Sequence, residues 1–337
     1  MSELWSCCAN KKQGQGHIPC MEKIAAKVVF DINTDNPNIE EFLSKCEAFL
    51  QVYIDDDVSK LYTYCKKTIL ERCSFVSSTT NLDAHKLFLQ RLSRRRTRDS
   101  RLKVFTTNYD LCFEQAAGVL GLVVLDGFSF NRPRYYDPRY FLYDIVRRPR
   151  SGEDVGNYLE GVIQLYKLHG SVSWNRERIV ENGIDREIIK ELDISDPSTA
   201  CIIYPAKGKY QQTYIQPHLE LFAQFLSTLR EPNTCLIVTG FGFNDDHLSE
   251  PILSAVQSNP HLRLIISDPC AEKNVKSEEP SKKYWRRLMQ LACLGSDVLF
   301  INAGFSDLAS LVPDLHSLNS SERLAVAVRA VGKIDEH

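Results

Sequence analysis

The chain has 337 residues, with 41 Lys and Arg against 43 Asp and Glu, for a formal charge of −2. Apolar residues make up 43% and charged residues 25%, a globular balance that excludes a mostly disordered chain. Near-neutral charge excludes a chain-wide basic field for nucleic acid or membrane surfaces, and the longest apolar run, 116–125, holds two glycines and is too short to span a bilayer. No basic and then apolar leader opens the sequence, so a cytoplasmic protein is expected.

The first hundred residues read as a helical module. Asn38-Ile39-Glu40-Glu41 has the form of a capping box, and behind it Phe42, Cys46, Phe49 and Leu50 recur at helical spacing. Further helices are expected over 58–73 and 83–92, followed by an arginine-rich connection over 91–103 that reads as a solvated helix end. From residue 101 the texture changes. Short apolar strands are expected at 102–106, 123–125, 162–168, 201–204, 235–239, 262–267 and 298–302, with helices at 110–120, 214–229, 246–258 and 281–292. Continuous apolar strands linked by helices predict an α/β fold, a doubly wound, Rossmann-like and mostly parallel sheet, with the helical module at its amino-terminal side. The boundaries are therefore 1–100 for the module, 101–312 for the α/β domain and 313–337 for a carboxyl-terminal tail.

Eleven cysteines raise the question of metal or disulfides, and their spacing answers it. They stand at 7, 8, 20, 46, 65, 73, 112, 201, 235, 270 and 293, with no CxxC pair. A structural zinc site uses ligand pairs at short spacing, so no metal is expected. Chemistry is instead expected at the strand ends, because doubly wound folds bind ligands beyond the carboxyl ends of their strands. Thr106, Thr107, Asn108, Tyr109 and Asp110 follow one strand and precede a helix, where they serve either as a plain cap or as amide and hydroxyl donors to the crevice. His169 ends QLYKLHGS, placed for proton transfer near neutral pH, although a lone histidine is also a common structural group. Thr239-Gly240-Phe241-Gly242-Phe243 joins the strand at 235–239 to a helix; its glycines let main-chain amides face a phosphate, but Asp245 breaks G-x-G-x-x-G. Ser267-Asp268-Pro269 ends the following strand, suited to hydrogen-bond a ribose or to start a turn. The segment 131–150 interleaves arginines with tyrosines. It reads as a surface connection with its aromatics on the sheet rather than as a nucleic-acid site.

Together, FTTNYDLCFEQAA (105–117), DGFSF (126–130), YKLHGSVSW (166–174), IIYP (202–205) and TGFGFNDDHL (239–248) resemble the sirtuin-like domain of bacterial NAD-consuming defence proteins. The arrangement is most similar to the sirtuin-like partner of a HerA-type DNA translocase, and it runs over about residues 36–312. The resemblance implies that Asn108 and His169 are catalytic, His169 as the base. It also implies that Thr107, Asp110, Thr239, Gly240, Phe241, Gly242 and Ser267 bind NAD+ as substrate, without a metal. Unpaired cysteines are in keeping with an NAD+ glycohydrolase, because lysine-deacetylating sirtuins carry a four-cysteine zinc module. The partners implied are NAD+, further copies of the chain and a HerA-type ATPase, with neither direct nucleic-acid binding nor a membrane.

One departure stands out. Members of that group begin with a strand leading to a Gly-Ala-Gly-[AC]-Ser loop that cradles the NAD pyrophosphate, and no such motif occurs here. Met1-Ser2-Glu3-Leu4-Trp5 resembles the segment just after that loop. The comparison implies either that roughly 20–40 residues of the pattern lie ahead of Met1, or that the cradle has been lost. The competing expectation is accordingly a catalytically silent NAD- or ADP-ribose-binding or scaffold subunit of a defence complex.

Overall fold

A computed structural model describes residues 2–9, 18–32, 38–95, 99–148, 157–181, 183–193, 196, 198–203, 216–315, 324–325 and 327–328. Helices come first: α1 (Ser2–Ala9), α2 (Met21–Lys27), α3 (Ile39–Val52), α4 (Asp56–Cys73) and α5 (Asp83–Ser93). Asp55 starts α4 by accepting the N–H groups of Asp57 and Val58, each at 3.0 Å, which satisfies two donors that the first turn leaves open. Val58, Leu61, Cys65 and Ile69 then recur along one buried face of α4. They meet Phe42, Leu43 and Cys46 of α3 and Trp5 of α1 in one core. Val172 and Ile202 of the sheet region belong to the same core, so the module is packed onto the rest of the chain.

The α/β region opens with β1 (Leu102–Thr106), α6 (Cys112–Val119) and β2 (Val123–Leu125). After two short antiparallel strands, β3 (Val146–Arg147) and β4 (Asn157–Tyr158), β5 (Val162–Lys167) enters between β1 and β2 and is parallel to both. A second parallel sheet is built later from β9 (Cys235–Thr239), β10 (Arg263–Ser267) and β11 (Val298–Ile301), in the order β11-β10-β9. Its connections are α8 (Asp246–Ser258), α9 (Ala271–Lys276) and α10 (Lys283–Cys293); α7 (His218–Arg230) precedes β9, and α11 (Phe305–Leu311) follows β11. The strands are apolar on both faces because helices cover both. Leu102, Val104, Ile163 and Leu165 pack towards α5, α6 and α11, whereas Phe105, Tyr166, Leu236 and Val238 pack towards α7 and α8. Parallel sheets flanked by helices make this the expected Rossmann-like α/β fold.

Two features differ from the sequence reading. The stretch after His169 folds as a long hairpin, β6 (Gly170–Glu181) and β7 (Ile184–Glu191), joined by β8 (Ala200–Ile202) in an antiparallel sheet ordered β7-β6-β8. The strand expected at 201–204 therefore belongs to this antiparallel sheet, and Tyr204 and Pro205 of IIYP lie outside the described residues. Alternating charge hides the hairpin from an apolar-run reading, because Arg176–Glu187 (2.9 Å) and Glu177–Lys190 (3.7 Å) face each other across it. The second difference concerns sheet continuity. Among the described residues no ladder joins β1 to β9, so the parallel strands form two half-sheets rather than one.

Within 131–148 the aromatics divide, with Tyr135 and Tyr143 exposed. Phe141, in a 3₁₀ turn over Pro138–Leu142, is buried and stacks on Tyr166 with ring centroids 4.3 Å apart. All eleven cysteines are free thiols. Among the described residues no helix is long and apolar enough to cross a membrane.

Candidate functional site

A cavity of about 1110 Å³ runs between the two half-sheets, lined by residues 102–108 on one side and 234–241 on the other. From it the strands proceed outward in opposite directions, β1-β5-β2 and β9-β10-β11. Such a reversal of strand order is where open α/β sheets hold their ligands, beyond the carboxyl ends of the strands. Those ends are here the polar segments after β1 and β9.

On the β1 side, the Thr106 hydroxyl accepts the Asn108 N–H at 3.1 Å, which turns the chain out of the strand. The Asp110 carboxylate then accepts the Cys112 N–H at 3.0 Å and starts α6. Between these two turns Thr107 and exposed Asn108 line the cavity, and Asp110 does not. The loop is fastened from beneath. Lys167, only 1% exposed, donates to the carbonyl oxygens of Tyr109 (3.3 Å) and Asp110 and pairs with Glu114 at 2.9 Å. Tyr109 is held further by the Val172 N–H on its carbonyl (3.0 Å) and by its own hydroxyl on Ile203 O (2.6 Å).

On the β9 side, Thr239, Gly240 and Phe241 line the cavity. The Thr239 Oγ1 is buried and has no hydrogen-bond partner, a costly state for a hydroxyl that a bound polar group would relieve. Gly240 adopts φ +65°, and a side chain there would meet nothing within 4 Å, so the backbone conformation rather than space favours glycine. Gly242 is not in the lining; its carbonyl accepts the Trp285 Nε1–H at 3.2 Å. Ser267 is not in the lining either, and its buried hydroxyl donates to Ala303 O at 2.8 Å.

His169 lies just behind the wall. It is buried, and its Nε2 is 3.0 Å from Nε2 of His247, with the two rings stacked at 5.2 Å and 26°. One of the two nitrogens donates in that contact and the other accepts, so each ring sets the tautomer of its partner. Their chain neighbours Leu168 and Leu248 line the cavity. Sequence reasoning passed over His247 and Lys167, although both stand inside quoted motifs, in TGFGFNDDHL and YKLHGSVSW. The available signal was position: a histidine in the first turn of a helix that follows a glycine-rich strand end, and a lysine inside an apolar strand.

A third histidine supports the same wall. His218 donates Nδ1–H to Leu168 O at 3.1 Å, and burial pushes its pKa down to about 4, so the ring is neutral. Its Nε2 then faces the Cys201 thiol at 3.8 Å as an acceptor. At the end of β2, Asp126 of the DGFSF motif grips Arg134 through both oxygens at 2.7 and 3.0 Å, and Arg134 reaches Glu191 of β7 at 2.6 Å. Burial raises the Asp126 carboxyl to about 6. Among the described residues no three His, Cys, Asp or Glu side chains gather to hold a metal ion.

Comparison with curated proteins finds no match. A family model does match, that of the SIR2-like domain, over residues 102–288, more than half of the chain. The matched stretch begins with β1, takes in both walls of the cavity and ends inside α10. The chain belongs to the SIR2-like domain family, a family of NAD-related function.

Proposed function

We propose that the protein hydrolyses NAD+ to nicotinamide and ADP-ribose and acts as an NAD-depleting effector of antiphage defence. The observation that carries the reading is the polar cluster at the reversal of strand order. There Asn108 and the orphaned Thr239 hydroxyl line one cavity, with the His169–His247 pair one residue behind its wall.

In this reading the bond between ribose C1′ and the nicotinamide nitrogen breaks, and its electron pair leaves with the now neutral ring. The oxocarbenium-like centre is captured by water. Asn108 orients the ribose and the water, Asp110 holds the loop through its bond to Cys112, and Thr107, Thr239, Gly240 and Phe241 hold the dinucleotide. Gly242 and Ser267 support these segments from behind. His169 accepts the proton released by the ribose hydroxyl or the attacking water, a role typically worth ~10²–10⁴ in rate, and His247 positions it. The proposed setting is a cytoplasmic homo-oligomer working with a HerA-type ATPase.

The test is nicotinamide release from NAD+ by the purified chain. Asn108→Ala and His169→Ala are each expected to abolish turnover with an unchanged far-UV circular dichroism spectrum; turnover persisting in either folded variant would sink the assignment. The burial of His169 behind the cavity wall favours a second reading, a silent NAD- or ADP-ribose-binding subunit. Saturable ADP-ribose binding by the wild-type chain without nicotinamide release would select it.

A further inference from the structure

Residues 107–111, between β1 and α6, belong to neither element, so no regular ladder fixes their main chain. Exposed Asn108 stands within this connection, and its place depends on what holds the chain on either side. Before it, the bond from Asn108 N–H to Thr106 Oγ1 sets the exit from β1. After it the chain bends at Asp110, and the carbonyls of Tyr109 and Asp110 both turn to the Nζ of Lys167. Successive carbonyls point opposite ways in an extended chain, so two that share one donor require that bend. The Tyr109 carbonyl also receives Val172 N–H, whereas Lys167 is the donor recorded for the Asp110 carbonyl among the described residues. An ammonium has three N–H donors and no acceptor, and the third reaches Glu114 of α6 at 2.9 Å. Replacing a buried ion pair by apolar side chains is often neutral or stabilising. Stability therefore gives no reason for a lysine at this place; the direction of two carbonyls does.

We propose that Lys167 is a positioning residue: its ammonium holds the bend at Asp110 and thereby sets Asn108 against the ribose. Lys167 is 1% exposed and meets no substrate itself. It is the last residue of β5, in register with Thr106 and two residues ahead of His169. One strand end thus carries the proposed base and the group that places its partner, so the two move together. The inference rests on the reading of Asn108 as the residue that orients the ribose and the water. Glu114 has a separate task, supplying the charge that lets the ammonium stay buried, and it is not needed to direct the carbonyls.

The test compares Lys167→Met, an apolar side chain of similar length, with Glu114→Gln, which removes the counter-charge and keeps an acceptor. Nicotinamide release and amide hydrogen exchange are measured on the same whole chains. Lys167→Met is expected to lower kcat about 100-fold with KM little changed, as a misplaced reacting group does. Glu114→Gln is expected to lower the melting temperature and to keep a kcat close to wild type. Exchange at the amides of Asn108, Cys112 and Val172, which the loop's own bonds protect, is expected to quicken roughly tenfold in Lys167→Met alone. Should Lys167→Met not fold, Lys167→Gln, shorter and uncharged, takes its place with the same readings. An equal fall of kcat in the Lys167 and Glu114 variants, or a Lys167 variant with wild-type kcat, would overturn the proposal. Unchanged exchange in the Lys167 variant would overturn it whether or not the chain turns NAD+ over. A wild-type chain that releases no nicotinamide, while exchange quickens as expected, would uphold Lys167 as the holder of the loop and overturn the reaction assigned to Asn108.

Discussion

His218 shows how one buried side chain couples the cavity wall to pH. Its folded pKa of about 4 lies below the ordinary value of 6.5, and burial is the main cause. Between those values the unfolded chain binds the proton and the folded chain does not, so stability rises with pH. The contribution is complete above about 6.5 and is lost as pH falls towards 4. Relative to His218→Asn, which keeps an N–H for Leu168 O, the wild type is expected to lose about 3 kcal/mol between pH 7 and pH 4. Urea denaturation of both proteins at the two pH values checks this; a difference that is constant or of opposite sign refutes it. At the same scale, Asn108 and His169 were legible because they stand in polar motifs at strand ends. Lys167 was not, since a lysine within VIQLYK reads as an exposed end until its carbonyl and Glu114 partners are seen. Ser267 was misleading for the converse reason: a hydroxyl at a strand end can turn inward, here to Ala303 O.

Among the elements, the β6–β7 hairpin with β8 is the one whose start decides the most. Gly170 opens β6 at φ +85°, and a Cβ built there would overlap the Cys201 carbonyl and stand 2.9 Å from Ile202 Cα. Gly121 has a similar φ of +67° but open space around it. Gly121→Ala is therefore expected to cost about 1–2 kcal/mol from backbone conformation alone, and Gly170→Ala clearly more, because β8 must also move off β6. Equal losses in chemical denaturation would show that the approach of β8 does not constrain this position. The hairpin had a readable signal in its Asn-Gly pair at 182–183, the preferred residues of a tight turn. Charged residues on both strands concealed the apolar face that Val172 and Trp174 bury. By contrast, β1 and β9 coincide with their expected ranges because continuous apolar runs bounded by polar strand ends have few alternative folds.

Across the whole molecule, the helical module and the α/β region share a core, since Trp5, Phe42 and Ile69 meet Val172 and Ile202. Phe42 is fully buried at the centre of an aromatic group, 5.8 Å from Trp5 and 5.4 Å from Phe30. Phe42→Ala is expected to cost about 3–5 kcal/mol and to lower one common transition seen by both far-UV circular dichroism and tryptophan fluorescence. Two separated transitions would mean that the module unfolds independently. The presence of parallel strands in each half followed from their apolar runs and the helices between them. The break between the halves did not, because an unpaired edge leaves no mark on the residues that form it.

That break also bears on how the protein behaves in concentrated solution. A bare strand edge on a surface is a template for another chain's edge, and natural sheets shorten, charge or cover such edges to avoid it. Here the two longest unpaired edges of the parallel sheets, β1 and β9, look inward at each other beneath a cover of helices. The outward edges belong to β2 and β11, of three and four residues. The longest edges of the parallel sheets are thus kept away from neighbouring molecules, and the edges that those two sheets leave outside are too short to hold one.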